Sequence, residues 1–181
     1  DGVELALDEQ GPVNLNSTKE EMQEIKAFAE SIGLELYSVA SGLYWDYSIT
    51  SDCAKERAKA EDIVKKEIDA AKALGCQSCL VVPGTVCADF VGPNKVVDYQ
   101  TAYERSLDAF LRLKEYAEKA EIEIGLENVW NKFLVSPIEM KEFIDKIKSL
   151  NATFVGDWFM TRNVYDFVPA SDNKWIRLRS D

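Results

Sequence analysis

The stretch Glu121-Ile122-Glu123-Ile124-Gly125-Leu126-Glu127-Asn128-Val129-Trp130-Asn131-Lys132-Phe133-Leu134 decides the fold. Ile122, Ile124 and Leu126 alternate with Glu123, Gly125 and Glu127. A period of two predicts a β-strand with one apolar and one acidic face. The alternation stops after Glu127, and Asn128, Trp130, Asn131 and Lys132 follow as a polar, aromatic loop. A carboxylate at the C-terminal tip of a strand, beside such a loop, sits where α/β enzymes carry catalytic groups. The plainer reading of Glu127 is a solvated strand end. The run reads as an interior strand, where a carboxylate without partners is costly, and this favours a functional role.

Strand-then-helix units recur on both sides of this stretch. Residues 2–7 read as a short strand, and Gly11-Pro12 with Asn14 and Asn16 punctuate the loop after it. Ser17 or Thr18, with Glu20 or Glu21, has the form of a capping box, and Gly33 closes the helix it starts. Residues 34–40 are a second strand. Its loop, Ser41-Gly42-Leu43-Tyr44-Trp45-Asp46-Tyr47, suits a ligand or the rim of a core equally. Ser51-Asp52 caps a helix over residues 53–74, and Gly75 ends it. Residues 79–82 are a third, wholly apolar strand, buried on both faces. Pro83-Gly84 breaks it, and a loop carrying Asp89, Gly92 and Pro93 leads to a helix over residues 98–120. After the opening strand, Ser136-Pro137-Ile138-Glu139 starts a helix that runs to about residue 150. Residues 153–159 read as a fifth strand. Met160-Thr161-Arg162-Asn163, a loop with Pro169 and a short terminal segment over residues 173–179 follow.

A βα unit repeating roughly every 35–45 residues predicts a parallel sheet with right-handed helical crossovers. We expect one α/β domain over residues 1–181 with a five-stranded parallel (βα) repeat. It is either part of a (β/α)₈ barrel or an open doubly wound, flavodoxin-like sheet. A closed barrel needs about 250 residues, and the chain has 181.

Hydrophobic residues make up 46% and charged residues 29%, an ordinary globular balance. The net charge of −11 argues against nucleic acid and anionic membrane surfaces, which both require a basic patch. No apolar run approaches the ~20 residues of a membrane span. No signal-peptide pattern is present, and the opening inside a strand suggests a chain cut from a longer parent. Cys76 and Cys79 have C-x-x-C spacing, but the chain has no histidine to complete a zinc site. Cys76 follows a helix end, whereas a redox thiol belongs at a helix start. Buried structural thiols in a reducing cytoplasm are the expectation.

Gly2-Val3-Glu4-Leu5-Ala6-Leu7, Ala40-Ser41-Gly42-Leu43-Tyr44-Trp45, Val81-Val82-Pro83-Gly84, and above all Gly125-Leu126-Glu127-Asn128-Val129-Trp130-Asn131-Lys132-Phe133-Leu134 with Ser136-Pro137 resemble the xylose-isomerase-like TIM-barrel family. Within it they are most similar to the ketose or ketose-phosphate 3-epimerases and the hexulose-6-phosphate isomerases. The similarity runs to about residue 155 and implies a chain covering the second to the sixth barrel strand. It also implies a divalent ion (Mn²⁺, Mg²⁺ or Co²⁺) held by two Glu, one Asp and one His. Two of those carboxylates exchange the C3 proton of a ketose through an enediolate, whose charge the metal stabilises. Glu127 matches the first ligand and acid–base Glu.

The other ligands depart from the pattern. Met160 stands where the resemblance places the ligand Asp, in Phe159-Met160-Thr161-Arg162-Asn163, and Asp157 falls on the other face of that strand. No His exists, and one carboxylate does not make a tight site. We therefore expect a catalytically impaired, truncated or engineered scaffold without a cofactor of its own, with residues 156–181 divergent or redesigned. Glu127 remains as its catalytic and metal-ligand vestige, and Trp45, Asn128, Trp130 and Asn131 are candidate substrate contacts. One alternative is an active epimerase or isomerase that draws ligands from a partner chain or from Asp157 or Asp166. The other is a sugar-binding module using Tyr44, Trp45 and Trp130. Exposed sheet edges at residues 2–7 and 153–159 predict either a homodimer or a tail that covers an edge.

Overall fold

The computed structural model describes residues 2–90 and 96–149 and the strands at residues 161–166 and 175–180. In chain order the elements are β1 (Gly2–Leu7), α1 (Lys19–Ser31), β2 (Glu35–Ser41), α2 (Ala54–Leu74), β3 (Ser78–Val81), α3 (Tyr99–Ala120), β4 (Glu123–Leu126), α4 (Pro137–Ser149), β5 (Thr161–Asp166) and β6 (Trp175–Ser180). A 3₁₀ turn, Leu43–Trp45, follows β2.

The helix boundaries follow local chemistry. Thr18 caps α1, accepting from the Glu21 N–H while Glu21 accepts from the Thr18 N–H, a reciprocal capping box. Asp98 caps α3 through the Thr101 N–H at 3.0 Å. Gly75 ends α2 in the left-handed region, φ 80°. Ser51 sits just outside α2, and its Oγ accepts from the Cys53 N–H.

The six-stranded sheet has the order β4-β3-β2-β1-β6-β5. β1 to β4 are parallel neighbours in sequence order, with Val39 beside Cys79 and Cys79 beside Ile124. Right-handed crossovers in one unbroken direction put the connecting helices on the same face of the sheet. A doubly wound sheet reverses its order at a switch point, so that alternative does not hold. The four parallel strands are a partial TIM-like barrel. The fifth parallel strand expected at residues 153–159 lies outside the described residues, as does Met160.

Residues 161–163 were expected between elements, and that expectation is corrected; the tail was expected as one way to cover a free sheet edge, and it does so at β1. β5 and β6 form an antiparallel hairpin, and β6 pairs antiparallel with β1 through Val3 and Leu178. The reason is the free edge of β1, whose unpaired N–H and C=O groups accept any adjacent strand. An antiparallel partner needs no helical crossover. The alternation of Ile176 and Leu178 with Arg177 and Arg179 carried the signal.

The core lies between the parallel strands and the helices. Leu7, Val39, Cys79 and Val81 meet Ile63, Val64, Ile68 and Leu74 of α2 and Phe110 and Leu113 of α3. Phe143 of α4 packs edge-on against Tyr103, Phe110 and Phe133. Cys76 and Cys79 are buried free thiols, whereas Cys53 is exposed and Cys87 half-buried. Burial pushes the Cys76 thiol up to about 11, which keeps it protonated. Among the described residues no helix is long and apolar enough to cross a membrane.

Gly84 turns the chain out of β3 at φ 145°, and a Cβ there would collide with Thr50 Cγ2. Gly84→Ala is expected to lower stability by about 3 kcal/mol through strain and overpacking. Gly42→Ala is the control: φ is −79° and nothing lies within 4 Å of the added carbon. It should shift stability by less than about 0.5 kcal/mol in urea denaturation.

Candidate functional site

Parallel pairing brings the C-terminal ends of β1 to β4, and the loops leaving them, to one rim of the sheet. Glu127 stands there, one residue past β4. Its N–H donates to Val81 O at 3.0 Å, so pairing with the β3 strand continues to Glu127 itself. Ile124 and Leu126 pack on the core beneath the helices. By alternation Glu127, Gly125 and Glu123 share the opposite face, the one a barrel would turn inward. Glu127 is half-buried in that position.

Each rim loop is tied to the next. Tyr47 in the loop after β2 donates to Glu9 in the loop after β1, at 3.1 Å. Thr50 Oγ1 donates to Thr85 O at 2.6 Å and accepts from the Thr85 N–H at 2.8 Å, joining the loops after β2 and β3. Arg105 of α3 reaches beneath them to Thr50 O at 2.9 Å and Asp52 Oδ1 at 2.7 Å. Trp45 meets Phe90 edge-on, with ring centroids 4.7 Å apart.

Asn131 joins the loops after β3 and β4. It is 1% exposed, and its Nδ2 donates to Gly84 O at 2.6 Å while its Oδ1 accepts from the Phe133 N–H at 3.1 Å. Its backbone carbonyl accepts from the N–H groups of Val86 and Cys87. This amide is engaged in holding loops, and that is the work the structure gives it in place of the substrate contact expected from sequence. Lys132 and Leu134 beside it adopt left-handed backbone, φ 60° and 48°. Such conformations persist in non-glycine residues only when surrounding contacts enforce them. The buried Asn131, Phe133 and Leu134 supply those contacts.

The other expected contacts lie at the same rim. Asn128 is exposed, Trp130 is 88% exposed, and Trp45 is half-buried against Phe90. Tyr44 does not join them. It is buried, and its hydroxyl bonds to Glu67 of α2, because a 3₁₀ turn sends consecutive side chains in different directions. Sequence reasoning missed Phe90, Cys87 and Lys132. Lys132 Nζ lies 3.0 Å from Asp89 Oδ1 and 3.9 Å from Cys87 Sγ. The hydrogen bond from Lys132 holds Asp89 below the usual carboxylate range, and the same bond raises the lysine. Aromatic Phe90 next to Asp89 in a rim loop was the available signal, and only the packing made it legible.

Metal chemistry needs several donors converging on one ion. Among the described residues no group of three or more His, Cys, Asp or Glu is placed to hold one. Asp157 and Met160 lie outside the described residues, and Asp166 ends β5. The donors of the described residues do not converge as a divalent ion requires.

Asn131→Ala is expected to destabilise the protein by about 1–3 kcal/mol, since Gly84 O and the Phe133 N–H lose their buried partners. Lys132→Ala removes only an exposed ion pair and should leave the thermal midpoint unchanged. Differential scanning calorimetry of both variants checks the contrast.

Comparison with known proteins places this geometry. A search of curated proteins returns no match. Among solved structures, a D-psicose 3-epimerase in the presence of D-fructose matches with a TM-score of 0.68 at 18% identity, over 84% of this chain and 50% of that one. An L-ribulose 3-epimerase matches with a TM-score of 0.66 at 18% identity, over 84% and 48%. D-psicose 3-epimerase with D-tagatose from Clostridium cellulolyticum matches with a TM-score of 0.65 at 17% identity, over 81% and 50%. At this identity the likeness is one of fold, and this chain spans about half the length of these structures. The family described as Xylose isomerase-like TIM barrel matches residues 1–174, reaching past the residue 155 at which the sequence resemblance ended. The chain belongs to the xylose isomerase-like TIM-barrel family.

Proposed function

We propose that this chain binds a ketose at the C-terminal rim of its parallel sheet and is catalytically impaired in proton exchange. The observation that carries this reading is Glu127, half-buried at the tip of β4 on the face away from the helices, with no converging metal-donor set among the described residues. A carboxylate there accepts hydrogen bonds from vicinal hydroxyls. Trp130 and the Trp45–Phe90 pair supply apolar ring faces for the C–H side of a sugar. The ligands named for two neighbouring structures, D-fructose and D-tagatose, support a ketose as the substrate class.

The chemistry explains the impairment. A proton beside a carbonyl is weakly acidic, and its removal requires that the developing enolate charge be stabilised. Inversion then needs a second acid–base group on the opposite face. Glu127 alone accepts a proton from one side and offers neither. The chain therefore holds no tight metal of its own in this reading.

Calorimetric titration with Mn²⁺, followed by D-fructose and D-tagatose, tests it. Ketose binding without micromolar Mn²⁺ affinity is expected. Trp130→Ala should weaken the sugar about 3- to 10-fold, the worth of one aromatic face. Micromolar Mn²⁺ binding abolished by Glu127→Gln, together with epimerisation, would overturn the impairment and favour an active metal-dependent epimerase.

Self-association belongs to the same proposal. Among the described residues the outer edge of β4 has no strand partner, and an apolar groove of about 390 Å³ lined by Phe110, Ile122, Ile124, Leu126 and Ile147 runs beside it. Of the two edges expected to drive self-association, that of residues 2–7 is taken by β6 and that of residues 153–159 lies outside the described residues; an open β4 edge favours pairing with a second copy. A dimer is the expected result in sedimentation equilibrium, and a monomer at all concentrations counts against it.

A further inference from the structure

The rim does not account for one polar pair in the core. Glu67 of α2 is 0% exposed and Tyr44 2%. Tyr44 Oη donates to Glu67 Oε2. Glu67 Oε1 is buried and has no hydrogen-bond partner. The groups acting on this carboxyl come from every element around it: Tyr44 from the turn after β2, Glu4 from β1, and the Leu80 backbone and Cys79 from β3. None of them is a cation.

An ionised carboxylate in such a place would be costly, with one oxygen unsolvated and a second acid, Glu4, nearby. A neutral acid avoids most of that cost, and its proton falls naturally on the oxygen that lacks a donor. Burial first, and then the charge of Glu4, push Glu67 well above the usual carboxylate range, while the Tyr44 bond pulls the other way. Burial therefore favours the neutral form of both groups.

Its place in the fold gives it a consequence. Tyr44 is the middle residue of the Leu43–Trp45 turn. The turn is short and closed, with the Tyr47 N–H bonded to Leu43 O at 2.8 Å and the Trp45 N–H to Gly42 O at 3.1 Å. Leu43 is 5% exposed and fills the core beside Tyr44. With both side chains held inward, Trp45 is directed outward onto Phe90. We propose that Glu67 is a positioning residue: its carboxyl holds Tyr44 in the core and so sets Trp45 at the sugar-binding rim. The part of this that concerns sugar rests on the reading of the rim as a ketose site.

The test uses the full chain and the variants Tyr44→Phe, Glu67→Leu and Glu67→Gln, with Trp45→Phe to isolate the Trp45 contribution by difference. Near-ultraviolet circular dichroism and fluorescence report the Trp45–Phe90 contact. Far-ultraviolet spectra confirm folding. Tyr44→Phe and Glu67→Leu should each lose half or more of the Trp45 signal and weaken D-tagatose. Glu67→Gln keeps an oxygen that accepts from Tyr44 and should keep the signal.

Urea unfolding between pH 5 and 9 supplies an independent readout. Between the ordinary glutamate value and the raised folded one, the folded state holds a proton on Glu67 that the unfolded state releases. Stability therefore falls as pH rises from the ordinary glutamate value toward the raised folded one, by up to about tenfold in the unfolding constant per pH unit. Glu67→Gln should remove that slope. An unchanged Trp45 signal in both Tyr44→Phe and Glu67→Leu, or the same slope in wild type and Glu67→Gln, would overturn the proposal. If wild type binds no ketose, the rim reading fails, while the Trp45 signal and the pH slope still decide the role of Glu67.

Discussion

Every strand of a sheet has two edges, and the backbone groups on both must find partners. That constraint shapes this protein more than any side chain does. β2 and β3 satisfy it with parallel neighbours on both sides. β1 has one parallel neighbour, β2, and its other edge is taken by β6, a strand running the opposite way. The hairpin stops the parallel ladder in the direction in which a closed barrel would continue. What results is an α/β sheet with barrel-like winding through β4-β3-β2-β1 and an antiparallel end.

The parallel ladder also fixes where chemistry can occur. Its loops emerge together, and hydrogen bonds lock them pairwise: Tyr47 to Glu9, Thr50 to Thr85, and Asn131 to Gly84. These contacts are directional and range from exposed at Tyr47 to buried at Asn131, and they preorganise the rim. Glu127 is positioned by the ladder itself, through its bond to Val81 O. Trp45 is positioned from beneath through Tyr44 and Glu67, and the loop that carries exposed Trp130 is held by the Asn131 clamp.

Much of this was legible in the chain. The period of two before Glu127, the capping box at Thr18 and the glycine after α2 each act within a few residues, and local signals survive folding. Asn131 shows the limit. Next to Trp130 it looks like a ligand contact, yet its amide faces Gly84 from a distant part of the sequence. Tyr44 and Trp45 are adjacent and equally aromatic, and one is core while the other is rim. Polarity and aromaticity describe a residue, whereas burial depends on which other element arrives beside it.

By itself the sequence determined the βα repeat, the boundaries of most helices, the position of Glu127 at a strand tip and the family resemblance. All of these rest on side-chain periodicity and caps read over short spans. Only the tertiary structure decided that the tail pairs antiparallel with β1, that Asn131 is a loop clamp, and that Glu67 lies in the core bonded to Tyr44. Those outcomes depend on contacts between residues far apart in the chain, which are formed only when the sheet assembles and its edges and buried polar groups compete for partners.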